Sequence, residues 1–134
     1  MTYVAFSTSV GLPPSRAAVA ERCYAAGFRA LAEADLGAGA RLFGLLVLLE
    51  PRREQSWAGL AVAHERNGRL ALAEALYAVG QRMCGASAWL ELGRARALRG
   101  LGRDPEAEQA FDSAASLAND TSLERVIEEQ RCLR

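Results

Sequence analysis

The sequence repeats with a fixed period of about 34 residues, and such a period restricts the folds that the chain can adopt. The stretch NGRLALAEALYAVG begins at Asn67, and the similar stretch LGRDPEAEQAFDSA begins one period later at Leu101. Gly-Arg, Ala-Glu and an aromatic residue recur at the same positions in both. Phe43, Tyr77 and Phe111 have this spacing and mark three copies. A period of about 20 to 50 residues is typical of repeated structural units that stack on one another.

Each copy has the pattern of two α-helices. Leu70, Ala73 and Tyr77 recur at helical spacing on one face. Gly68 and Gly102 are suited to end helices, because glycine readily adopts the left-handed conformation that follows a helix C-terminus. The predicted fold class is all-α, a stack of helix-turn-helix repeats. We predict helices over residues 16–34, 36–50, 53–67, 70–83, 87–101, 105–118 and 121–132.

The length of 134 residues fits a single domain. We assign residues 1–15 to an N-terminal arm, because they lack helical periodicity. The three predicted repeats are 16–53, 54–87 and 88–120. Residues 121–134 are predicted to be a capping helix, because one stripe is apolar and the other residues are mostly charged.

Composition argues against several classes of function. The chain has 16 basic and 16 acidic residues, so the net charge is zero. Nucleic-acid binding favours concentrated positive charge, and we therefore expect no nucleic-acid partner. No apolar run approaches the roughly 20 residues that span a bilayer, so we expect no membrane insertion. No basic residue precedes Arg16, which argues against a secretory signal peptide and predicts a cytoplasmic protein.

Residues suited to catalysis or metal binding are few. His64 is the single histidine, and we expect it to pack in the core. The cysteines Cys23, Cys84 and Cys132 are odd in number and far apart, which is typical of reduced thiols. No glycine-rich phosphate-binding motif occurs. We predict that the protein is not an enzyme and uses neither a cofactor nor a metal.

The repeat resembles the tetratricopeptide repeat, which has the same period. The middle copy matches best, and its marker positions hold Trp57, Leu60, Ala61, Gly68, Ala73 and Tyr77. The spacing from Trp57 to Trp89 is two positions shorter than that from Tyr77 to Phe111, so helix 87–101 has two alternative registers. The resemblance implies an α-solenoid whose first helices line a concave surface.

Within that superfamily, the chain resembles the class II chaperones of bacterial type III secretion, which hold hydrophobic translocator proteins before export. The segment CYAAGFRALAEADLGAGARLFGLLVLLEP is similar to their first repeat. The residues that carry this similarity are Tyr24, Phe28, Phe43, Leu46, Leu49 and Glu50. Leu31 and Leu36 stand where tyrosines are common in that group. The resemblance implies a chaperone with a role in bacterial virulence and a groove less aromatic than is usual.

The predicted peptide-binding groove lies on the first helix of each repeat. On helix 16–34, Tyr24, Phe28 and Leu31 form an apolar stripe beside the stripe that the repeat needs for its core. A second apolar stripe indicates a partner site. The alternative is that Tyr24 and Phe28 pack under the N-terminal arm or in a dimer contact. The second copy adds Gln55, Ala58, Val62 and Arg66.

The two registers of the third copy predict different groove residues. The register set by Trp89 gives Leu90, Arg94 and Leu98. The register set by the full period gives Trp89, Leu92, Arg96 and Arg99. We favour the first register, because it buries Trp89 and leaves Glu91 exposed. The predicted groove is therefore Tyr24, Phe28, Leu31, Gln55, Ala58, Val62, Arg66, Leu90 and Arg94.

The predicted function is to hold an extended segment of a secreted client, with Arg66 and Arg94 binding its carbonyl groups or acids. Two alternatives remain open. One is a chaperone of a needle or filament subunit that acts with a small co-chaperone. The other is a general tetratricopeptide scaffold that joins two folded proteins. A homodimer formed through the N-terminal arm or the first helix is also open.

Overall fold

Seven α-helices joined by short turns make up residues 11–133, the part of the chain that the computed structural model describes. They are α1 (Arg16–Ala32), α2 (Leu36–Leu49), α3 (Glu54–Arg66), α4 (Leu70–Cys84), α5 (Ala88–Gly100), α6 (Asp104–Leu117) and α7 (Thr121–Cys132). Residues 11–133 contain no strand, and the all-α fold class is confirmed. The helix ends differ from the predicted ends by at most two residues. No helix in this part is both long and apolar enough to cross a membrane.

The turns within the three repeats share one backbone geometry. Gly68 and Gly102 have φ angles of 81° and 76°, as their role at helix ends predicts. In both turns, the next residue donates its N–H to a carbonyl five residues earlier at 2.9 Å. In the first repeat the equivalent residue is Ala34, which has a φ of 61° and makes the same kind of turn. An alanine is strained there, because its Cβ crowds the backbone in the left-handed region.

The core is built from aromatic residues of the second helices that pack against glycines of the following first helices. Phe43 of α2 packs on Gly59 of α3, where an added Cβ would lie 2.3 Å from its ring. Tyr77 of α4 packs on Gly93 of α5 at the same 2.3 Å. Phe43, Tyr77 and Phe111 are at most 1% exposed. The aromatic–glycine contacts of the core therefore recur with the same period as the sequence.

The favoured register of α5 is wrong. Leu90 is completely buried, Trp89 is 54% exposed and Glu91 is 8% exposed. Gly59 and Gly93 lie one full period apart and make equivalent contacts, so the repeat continues without a shift. Glu91 occupies the position of Trp57 and is stabilised there by hydrogen bonds from Gln81 and Arg94.

Helix α7 packs on α6 at the end of the stack. Its buried side chains Leu123 and Ile127 belong to the core around Phe111, whereas most other residues of α7 are exposed. Of the predicted N-terminal arm, residues 11–15 are described, and Ser15 caps the start of α1 by accepting the N–H of Ala18 at 3.1 Å. Residues 1–10 of the arm lie outside the described residues.

Candidate functional site

Helices α1, α3 and α5 lie side by side, because α1 contacts α3 and α3 contacts α5. They form one continuous face of the stack, which we call the first-helix surface. In stacked helix pairs this face is the concave one. Phe28, Val62 and Arg96 occupy equivalent positions on it, each one full period after the last.

Phe28 presents half of its ring to solvent. Its side chain is 49% exposed, and its ring centroid lies 5.3 Å from that of Phe43 in an edge-to-face arrangement. The ring of Tyr24 lies 6.3 Å away on the same helix. One edge of Phe28 is therefore fixed by aromatic contacts, and the other edge is open on the first-helix surface.

The prediction that Tyr24 is an open groove residue is wrong, because Tyr24 is 3% exposed. Its hydroxyl is hydrogen-bonded to the buried hydroxyl of Ser56 on α3. The guanidinium of Arg53 covers the ring at 3.9 Å from its centroid and binds Glu21 at 2.6 Å. Burial raises the pKa of the Tyr24 phenol above its usual value. Tyr24 therefore joins the first two repeats and supports Phe28 from below.

Leu31 is also buried, with 8% of its surface exposed. It packs on Gly39 of α2, where an added Cβ would lie 3.0 Å from a Leu31 methyl carbon. The predicted stripe is thus divided between two roles. Phe28 faces solvent, whereas Tyr24 and Leu31 belong to the core of the first repeat.

The predicted residues of the second repeat are accessible on α3. Gln55 and Arg66 are exposed, and Ala58 and Val62 are half-buried. One guanidinium nitrogen of Arg66 donates to the backbone carbonyl of Leu31 at 2.7 Å and links the first two repeats. Arg66 therefore has part of its hydrogen-bonding capacity already in use.

The predicted residues of the third repeat do not face the first-helix surface. Leu90 is in the core with Tyr77. Arg94 donates to Glu74 at 3.0 Å and to Glu91 at 3.1 Å, so it is bound against α4. The register set by the full period instead gives Trp89, Leu92, Arg96 and Arg99, of which Leu92 is buried. The signal that could have identified this register is the equivalence of Gly59 and Gly93.

A charged network occupies the C-terminal part of the first-helix surface. Arg96 binds the carboxylate of Glu65 at 3.0 and 3.2 Å, the hydroxyl of Tyr77 at 3.2 Å and the side-chain oxygen of Gln130 at 2.8 Å. The Tyr77 hydroxyl donates to Glu65 at 2.7 Å. Burial, followed by the charge of Glu65, raises the pKa of Tyr77. The network joins α3, α4, α5 and α7, and sequence reasoning missed it.

The described residues offer hydrogen bonds, charges and apolar contacts. Residues 11–133 hold no group of three or more His, Cys, Asp or Glu side chains that could bind a metal ion. His64 is half-buried, and burial lowers its pKa, with a further contribution from Arg69.

No protein-family model matches the sequence, and no curated protein sequence is significantly similar to it. Solved structures with high similarity include a chain of the CopN-Scc3 complex, with a TM-score of 0.74 and 20% identity over 86% of this chain and 68% of that chain. The OM64 tetratricopeptide domain of Arabidopsis has a TM-score of 0.74 and 17% identity, covering 87% of this chain and 96% of its own.

The Yersinia enterocolitica type III secretion translocator chaperone SycD has a TM-score of 0.73 and 21% identity, covering 85% of this chain and 95% of its own. At these identities the similarity establishes the fold. The chain is an α-solenoid of tetratricopeptide type, structurally similar to a translocator chaperone.

Proposed function

We propose that the protein is a non-catalytic chaperone that holds an extended segment of a secreted client, of the translocator type, before type III export from the bacterial cytoplasm. The observation that carries the proposal is the half-exposed ring of Phe28 on the first-helix surface, with Val62 at the equivalent position of the next repeat. The repeat does not require an aromatic residue there, since Val62 and Arg96 occupy the equivalent positions. The structural likeness to SycD supports this type of client.

The first-helix surface offers two kinds of contact to such a segment. Phe28 and Val62 provide an apolar area for the client's side chains. Ala58 is small, so a client backbone can approach α3 closely, and the exposed amide of Gln55 can bind that backbone. Such a complex covers an apolar client segment that would otherwise aggregate.

The buried members of the predicted groove have supporting roles in this proposal. Tyr24 and Leu31 hold Phe28 in place through the core of the first repeat. Arg66 is exposed and provides positive charge on the same surface, and one of its guanidinium nitrogens is held by the carbonyl of Leu31. Arg94 and Leu90 make no contact with the client, because one is bound to Glu74 and the other is buried.

Co-expression with the products of the adjacent genes, followed by pull-down and mass spectrometry, tests the proposal. The expected result is a complex with a secreted protein that has hydrophobic segments and is insoluble when expressed alone. Co-purification of one small helical protein would instead favour a chaperone of a needle or filament subunit. Capture of two folded proteins, with no secretion genes nearby, would favour a general scaffold. Either result would overturn the proposed client class.

Homodimerisation through residues 1–15 or α1 remains a prediction. Light scattering of the purified protein with and without its client would test it. A dimer that dissociates on client binding would place the dimer contact on or next to the first-helix surface.

A further inference from the structure

A small cavity opens where α5 begins, beside the connection between α6 and α7. Its volume is about 210 Å³. We call it the Trp89 notch, and its main lining residues are Glu54, Ser87, Trp89, Leu117, Asn119 and Leu123. Pockets for small molecules have volumes of about 300–1,000 Å³, so this cavity has the size for a single side chain.

Trp89 is a large, mainly apolar residue that is exposed to solvent. Its side chain is 54% exposed, and the neighbouring Leu117 is 39% exposed. The equivalent positions in the first two repeats hold Glu21 and Gln55. The repeat therefore does not require an indole here, and exposed tryptophans are enriched at contacts with protein partners.

Glu54 differs from the other buried or half-buried carboxylates of residues 11–133 in having no salt bridge. Five carboxylates in residues 11–133 are buried or half-buried, and four of them pair with an arginine within 4.0 Å: Glu50, Glu65, Glu74 and Glu91. The fifth, Glu54, accepts a hydrogen bond from the Ser87 hydroxyl. No arginine or histidine of residues 11–133 forms a salt bridge with it.

Among residues 11–133, three arginines each lie over an aromatic ring and bind a carboxylate: Arg53, Arg99 and Arg131. Arg53 lies 3.9 Å from the ring centroid of Tyr24 and binds Glu21 at 2.6 Å. Arg99 lies 4.5 Å from the ring centroid of Phe111 and binds Glu108 at 3.2 Å. The Trp89 notch has the ring and the carboxylate of this arrangement, and among residues 11–133 no arginine fills it.

We propose that the Trp89 notch binds one arginine side chain of a protein partner. The guanidinium stacks on the indole of Trp89 and donates N–H groups to the carboxylate of Glu54. Arginine suits the notch better than lysine, because its planar group stacks on a ring and donates at the edge at the same time. The inference does not depend on the class of client, because it rests on the residues of the notch and not on Phe28.

Nuclear magnetic resonance of the ¹⁵N-labelled full chain tests the proposal with the peptide acetyl-Ala-Arg-Ala-amide. The chain has two tryptophans, and the indole N–H of Trp57 is bound to the carbonyl of Pro51 at 2.6 Å. It therefore serves as an internal reference. The expected result is a saturable shift of the Trp89 indole signal with little change in that of Trp57.

Two comparisons isolate the charge. A peptide with citrulline in place of arginine keeps the shape and loses the charge, and we expect it to bind roughly fivefold more weakly. Glu54→Gln should weaken binding of the arginine peptide by a similar factor, because it removes the negative charge. Its amide oxygen can still accept the bond from Ser87, which preserves the local structure. Glu129→Gln removes an exposed carboxylate of α7 and should leave binding unchanged.

Three results would overturn the proposal. These are an unmoved Trp89 signal, equal affinity for the citrulline peptide, and tighter binding of a peptide with leucine in place of arginine. The last would show that the notch is an apolar pocket. The citrulline comparison uses the unmodified protein, so it decides the matter even where Glu54→Gln fails to fold.

Discussion

Phe28 and Arg96 occupy equivalent positions in the first and third repeats, yet the two ends of the first-helix surface are chemically opposite. The core contact between successive repeats is the same, with Phe43 on Gly59 and Tyr77 on Gly93. On the surface, the first repeat leaves the ring of Phe28 half in solvent, whereas the guanidinium of Arg96 in the third repeat makes four hydrogen bonds. The period therefore constrains the core, while the exposed positions are free to differ in function.

The largest expected effect tests the shared core. Gly59→Ala and Gly93→Ala each place a Cβ 2.3 Å from an aromatic ring, and we expect each to lower the free energy of unfolding by about 3 kcal/mol. Urea unfolding measures this change. Gly44→Ala is the control, because no atom lies within 4 Å of its added Cβ, and it should stabilise α2 by up to about 1 kcal/mol. Unequal losses at the two glycines would show that the repeats do not pack alike.

The next effect tests the charged end. Arg96→Ala leaves the carboxylate of Glu65 and the hydroxyl of Tyr77 without their cationic partner, and we expect a loss of about 2 kcal/mol in the free energy of unfolding. Arg125→Ala is the control, because Arg125 is an exposed residue of α7. Equal stability of the two variants in urea would show that the network has no structural role.

The smallest effect tests the turns. Ala34 has a φ of 61° where the other two repeats have glycine, so Ala34→Gly should raise the free energy of unfolding by about 1 kcal/mol. Gly68→Ala should lower it by a similar amount, since no atom within 4 Å obstructs its Cβ and only the backbone conformation changes. Thermal unfolding of both variants measures the difference. A destabilising Ala34→Gly would refute the strain at Ala34.

Local features made the helices predictable. The two turn glycines and the aromatic residues recur with the 34-residue period, so the period can be read from the sequence. The structure confirms the helices that they predict. The register of α5 was missed because Trp89 resembles a repeat marker. The contact of Gly93 with Tyr77 decides the register, and that contact forms only in the folded stack.

The site was harder to predict, because its chemistry depends on distant residues. Tyr24 is buried by Ser56 and Arg53, which lie beyond the end of α2 in the sequence. Arg96 is likewise bound to Glu65 on α3 and to Gln130 on α7, which are remote from it along the chain on either side. Helical periodicity assigns a residue to a face, but it does not show which neighbour covers that face.

The most direct test of client binding at the first-helix surface is the affinity of the identified client for Phe28→Ala and Leu48→Ala, measured by titration calorimetry. Both substitutions shorten an exposed apolar side chain, one on the first-helix surface and the other on α2. We expect Phe28→Ala to weaken binding at least roughly 30-fold, the effect of losing a hot-spot residue, and Leu48→Ala to bind normally. Full affinity in a folded Phe28→Ala variant, or an equal loss in Leu48→Ala, would contradict client binding at this surface.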